Sequence, residues 1–123
     1  MGEVRSYRDL LVWQKGMDLA EAAYTLVRFF PRAEEYRLTS QLLRAAASVP
    51  ANIAEGNARA TRKDYAHFVS IARGSVAEVE TFLQLAVRVT LVILEQASPA
   101  ISLADELGRM LNVMRDRLSN NPE

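Results

Sequence analysis

Apolar residues recur at steps of three and four along nearly the whole chain, and no segment shows the strict alternation of a half-buried strand. The pattern predicts an all-α protein. Proline and glycine divide it into four segments. The first spans about Tyr7 to Phe30, with Ser6 as N-cap, Asp9 three residues on, and Pro31 as the stop. The second spans about Leu38 to Glu55 and ends near Gly56; the third opens on Thr61, with Asp64 in the matching place, and runs to about Leu94. Ser98 as cap and Pro99 in the first turn open the fourth, which reaches about Leu118. Four amphipathic helices with no long linker predict a four-helix bundle in a single domain over residues 1–123.

The first segment carries two apolar stripes. Leu10, Trp13, Met17, Ala20, Tyr24 and Val27 form one, suited to packing inside a bundle. Val12, Leu19, Ala23, Leu26 and Phe30 form a second, roughly 120° away on an ideal helical wheel. One stripe suffices for a helix at the edge of a monomeric bundle, so the second is expected to form an oligomer interface. The third segment has its main stripe in Phe68, Ala72, Val76, Val79, Phe82, Ala86, Val89 and Ile93, with Ile71, Leu85 and Val92 off it. The fourth has one ordinary stripe, Leu103, Leu107, Met110, Leu111, Met114 and Leu118.

The second segment is thin, with Ala45, Ala46, Ala47, Ser48, Ala51 and Ala54 around Pro50. The proline lacks a backbone donor and predicts a bend or break near Ala46 to Ser48. The small side chains invite close approach by the third helix around Gly74 and Ser75. Asn52 and Glu55 follow at three-residue spacing and are read as structural polar groups. Asn52 would bond carbonyls freed by the proline, and Glu55 would pair with an arginine.

Composition narrows the chemistry. With no cysteine, thiolate metal sites, disulfides and cysteine nucleophiles are excluded, and a single histidine, His67, gives no basis for a catalytic triad or a di-iron bundle. There is no glycine-rich phosphate loop, and no enzyme activity, metal or cofactor is expected. The polar start of the chain and the lack of a long apolar run predict a soluble, cytoplasmic protein without a membrane partner. The 15 basic and 15 acidic residues cancel overall but are unevenly placed. Residues 36–73 carry six basic side chains against two acids, whereas residues 74–123 carry seven acids against four arginines. Arg44, Arg59, Arg62, Lys63 and Arg73 are therefore the candidate contacts to RNA or DNA, with Arg59, Arg62 and Lys63 clustered where the second helix gives way to the third.

The stretches Leu11-Val12-Trp13-Gln14-Lys15, Phe30-Pro31, Leu38-Thr39-Ser40-Gln41-Leu42 and Val49-Pro50-Ala51-Asn52-Ile53-Ala54-Glu55-Gly56 resemble the four-helix bundle proteins encoded in intervening sequences of bacterial 23S ribosomal RNA genes. The likeness covers about residues 7 to 94, and the block from Leu38 to Gly56 is its specific part. It implies an up-and-down antiparallel bundle, commonly a homopentamer, related to the accessory variability proteins of diversity-generating retroelements. It brings no enzymatic activity. Two functions follow: a homo-oligomeric scaffold associated with nucleic acid or with a protein that handles it, or a protein–protein interaction module that binds no nucleic acid.

Overall fold

In the computed structural model, which describes residues 5–120, four helices account for the apolar periodicity: α1 (Leu11–Leu26), α2 (Ser40–Asn57), α3 (Arg62–Arg88) and α4 (Leu94–Asn120). Residues 1–4 and 121–123, part of the expected domain, lie outside the described residues. Ser6 caps a separate 3-10 turn, Tyr7–Asp9, in a capping box: its hydroxyl accepts from the Arg8 N–H at 3.2 Å and the Asp9 carboxylate accepts from the Ser6 N–H at 3.3 Å. Leu10 is extended, so α1 starts only after it. A 3-10 turn at Arg32–Glu34 and a π-helical turn at Glu35–Thr39 then lead into α2. Thr61 caps α3 as the sequence predicts, its hydroxyl accepting from the Asp64 N–H at 3.1 Å.

Several expectations about helix ends need correction, and the first helix, expected over Tyr7 to Phe30, is an α-helix only over Leu11–Leu26, with a 3-10 turn at Val27–Phe29 after it. α3 stops at Arg88 rather than near Leu94, because Thr90 adopts φ 63°, in the left-handed region, and the chain reverses over residues 89–93. α4 consequently begins at Leu94, where the Gln96 side chain accepts from the Ile93 N–H at 3.0 Å, and Pro99 lies inside the helix rather than at its first position. Of the bend or break expected at Pro50, the break is absent: α2 runs unbroken through Ala46 to Ser48. Nearby carbonyls receive side-chain donors: the Ser48 hydroxyl donates to the Ala45 carbonyl, and the Asn52 amide to the Ser48 carbonyl, each at 2.8 Å. Neither reaches the Ala46 carbonyl, the one that Pro50 leaves without its helical donor, so Asn52 does not take the role expected of it.

Each helix packs on its neighbours in sequence and α4 returns onto α1, an up-and-down bundle. Specific contacts set the register. Lys15 of α1 pairs with Glu106 of α4 at 3.0 Å, the Ser48 and Ser75 hydroxyls of α2 and α3 meet at 2.6 Å, and Arg62 at the start of α3 donates to the Arg117 carbonyl near the end of α4. Leu19, Leu42, Val49, Ile53, Val69, Val76, Leu83, Leu107 and Leu111 are fully buried between the helices. Each such side chain contributes about 1.5–3 kcal/mol by leaving water. The close α2–α3 approach occurs at Ser75 as expected but not at Gly74, where an added Cβ would meet nothing within 4 Å. It occurs also at Gly56, where a Cβ would lie 2.9 Å from the Phe68 Cβ.

The two stripes of α1 are exchanged relative to the sequence reading. Val12, Leu19, Ala23, Leu26 and Phe30, expected at an oligomer interface, are buried in the core of the bundle. On the stripe expected to line the bundle, Trp13, Ala20 and Val27 are half-buried while Met17 and Tyr24 are 46% and 55% exposed. Gly16 lies where α1 meets α2, with Pro50 and Val49 at 3.4 Å from the position of a Cβ. In α3 the core line is Val69, Val76 and Leu83, which displaces Phe68 and Phe82 to the flank and leaves Val89 and Ile93 exposed.

Candidate nucleic-acid interface

Up-and-down topology brings the turn before α1, the α2–α3 connection and the last turns of α4 to one end of the bundle. That end holds Arg5, Arg8, Arg59, Arg62, Lys63, Arg115 and Arg117 against Asp9, Glu55, Asp64 and Asp116. The structure brings three of the five sequence-predicted contacts together there. Lys63 is exposed in the first turn of α3. Arg59 pairs with Glu55 at 2.8 Å and lies over the Phe68 ring at 4.7 Å, yet stays accessible. Arg62 is half-buried, donating through Nη2 to the Arg117 carbonyl at 3.2 Å.

The other two lie apart. Arg73 is drawn between α3 and α4: its Nε donates to the Asn112 side chain at 3.1 Å and its Nη1 stands 3.8 Å from Glu80, an ion pair beyond hydrogen-bond reach. Gly108 makes the room, since a Cβ there would sit 3.1 Å from the guanidinium carbon. Arg73 is thus a packing element, and the sequence reading that placed it on the basic surface is corrected. Arg44 is exposed, but on the α2–α3 face near Gln41 and Glu78, fifteen residues or about 22 Å of helix from Arg59. The sequence reading missed Arg117, His67 and Ser119. All three belong to this end because α4 runs back antiparallel to α3, a juxtaposition that only the register of distant helices supplies.

The structural polar pair separates into unequal members. Asn52 is half-buried and bonded to the Ser48 carbonyl, whereas Glu55 is exposed and its only ion pair among the described residues is with Arg59. An exposed pair four residues apart on a helix contributes about 0.3–0.5 kcal/mol, so Glu55 does not carry the stability that a buried carboxylate would. Tyr65 packs beside them. Burial pushes its phenol above the usual value of 10.0, opposed by the Asn57 amide donating to its oxygen at 3.2 Å. Among the described residues no three histidine, aspartate or glutamate side chains gather in a way that could hold a metal ion, and no helix is long and apolar enough to cross a membrane.

The model of the 23S rRNA-intervening sequence protein family matches residues 8–113, from the turn before α1 into the second half of α4. The chain belongs to this family. A crystal structure of a protein of unknown function from the S23 ribosomal protein family of Bacteroides thetaiotaomicron is similar to it, with a TM-score of 0.79 and 25% identity over 85% of this chain and 98% of that one. No curated protein matches the chain. In this 23S rRNA-intervening sequence protein, the block from Leu38 to Gly56 builds the bundle rather than a cleft. Leu42, Val49 and Ile53 fill the core, Pro50 meets Gly16, and Ser48 meets Ser75.

Proposed function

We propose that the chain is a non-enzymatic, self-assembling helical scaffold that binds nucleic acid through the basic end of its bundle. The observation that carries the reading is the outer flank of α1. Trp13, Met17, Ala20, Tyr24 and Val27 extend over about 21 Å of helix with no charge among them. Across the Gly16–Pro50 contact, α2 offers Leu43, Ala47 and Ala54 within roughly 60° of Pro50 on an ideal wheel. Tryptophan, methionine and tyrosine on one helix flank with no charge among them are the side chains enriched in interface cores. The family resemblance implies five copies.

Assembly strengthens a modest basic site. Arg59, Arg62 and Lys63, opposed by Glu55 and Asp64, give one subunit little net charge, but copies arranged around an axis multiply the contacts a single strand makes. Light scattering tests the first half of the proposal. The native protein should be oligomeric at micromolar concentration, and Met17→Glu with Tyr24→Glu should give a folded monomer; a native monomer ends the proposal. Gel shifts with RNA and DNA test the second half. Binding should weaken with added salt, by a log–log slope of roughly 0.7–0.9 per phosphate contacted, and alanine at Arg59, Arg62 and Lys63 together should flatten that slope with the assembly intact. No shift at low salt removes nucleic acid and leaves the alternative, a protein–protein interaction module.

A further inference from the structure

Between the first turns of α3 and the last turns of α4 lies a cleft of about 640 Å³. Ala66 and Leu118, both buried, form an apolar floor, and Arg62, Lys63, His67, Ser70 and Ser119 supply the polar walls. Arg62 is only partly satisfied. Its Nη2 donates to the Arg117 carbonyl, which fixes the guanidinium plane, while its Nε is shielded from solvent and has no hydrogen-bond partner. The Arg62 guanidinium is thereby held as a fixed positive charge in the wall of the cleft. Asp64, the nearest carboxylate in sequence, does not line the cleft. Lys63 makes no ion pair among the described residues.

We propose that this cleft seats the terminal phosphomonoester of a single nucleic-acid strand. The inference rests on the nucleic-acid reading above and narrows it to a strand end. A monoester carries close to two negative charges and three unesterified oxygens. An internal diester carries one charge and two such oxygens. The cleft offers two cationic side chains, the hydroxyls of Thr61, Ser70 and Ser119 and an imidazole, a set that matches the monoester in charge and offers donors to its three oxygens.

Fluorescence anisotropy tests the inference with one short single-stranded oligonucleotide in three forms: 5′-phosphorylated, 3′-phosphorylated, and hydroxyl-ended on both sides. One phosphorylated form should bind about tenfold tighter than the hydroxyl-ended form, as one added charge-assisted contact would give, and the form that does so identifies the strand end. Alanine at Lys63, His67 and Ser119, all exposed, should bring that ratio to about one while circular dichroism and assembly stay unchanged. Equal binding of the three native forms overturns the inference and leaves the basic-end reading standing. Binding of none overturns both. A preference that survives the triple substitution places the terminal phosphate elsewhere and overturns the assignment of this cleft.

Discussion

The inner and outer stripes of α1 have the same helical spacing and opposite fates. Leu19, Ala23 and Leu26 are sealed among α2, α3 and α4, whereas Met17 and Tyr24 on the other stripe remain about half exposed. Spacing cannot tell them apart, but side-chain chemistry does. The inner stripe is leucine, alanine, valine and phenylalanine, which carry no polar atoms and interdigitate in well-defined rotamers. The outer one has tryptophan, tyrosine and methionine, side chains that keep a polar tip or an adaptable stem at a wetter boundary. When one helix shows two apolar stripes, the amphipathic aromatics point to the stripe that lies at the wetter boundary of the bundle.

The largest effect that separates the stripes is on stability. Leu19→Ala should destabilise the bundle by about 2–5 kcal/mol, the range for truncating a fully buried leucine. Met17→Ala should cost less than about 0.5 kcal/mol, as surface substitutions usually do. Both are to be measured by denaturant melts on the Met17→Glu, Tyr24→Glu background or, for Met17→Ala, on Tyr24→Glu alone, so that assembly does not add to the apparent stability. Equal losses would mean that α1 is rotated relative to the bundle described here.

Much of the fold could be read from the chain, for identifiable reasons. The four helices, the Thr61 cap and the α4 stripe are local signals, and each is present in the structure, whereas Ser6 caps a separate turn ahead of α1. The end of α3 was not legible because its stop is Thr90, a β-branched residue in the left-handed region, with no glycine or proline to mark it. Pro99 reads as a first-turn residue, because its missing donor costs nothing there, yet α4 already begins at Leu94 with nothing in the local sequence to mark it. At the basic end, Arg59, Arg62 and Lys63 are close in sequence and could be found together. Arg73 could not be excluded, because its neutralising partners Asn112 and Glu80 and the space above Gly108 arise from the pairing of α3 with α4.

A smaller effect sharpens the comparison where the two stripes meet. A Cβ at Gly16 would lie 3.4 Å from the Pro50 Cβ and from Val49 Cγ1, an ordinary van der Waals separation. Gly16→Ala therefore fits without displacing α2 and gains the helix preference of alanine over glycine, about 0.5–1 kcal/mol. Thermal melts should show a slightly raised midpoint. A loss of more than about 1 kcal/mol would show that the glycine is needed for a closer approach of α1 to α2, and that the inward turn of the Leu19 stripe depends on it.

The smallest effect lies on the flank of α1 that faces α4, where Lys15 reaches Glu106 at 3.0 Å with the two side chains 23% and 47% exposed. Water screens both groups, so the pair contributes about 0.2–1 kcal/mol at low salt and less as salt is added. Lys15→Met keeps most of the apolar stem that packs between the helices and removes only the charge. The variant should therefore melt within about 1 kcal/mol of the parent at low salt and converge on it at high salt. A larger loss that persisted in high salt would mean that the pair is desolvated and that this flank, rather than the Leu19 stripe alone, fixes α1 in the bundle. The comparison would then have to be redrawn between three faces of the helix instead of two.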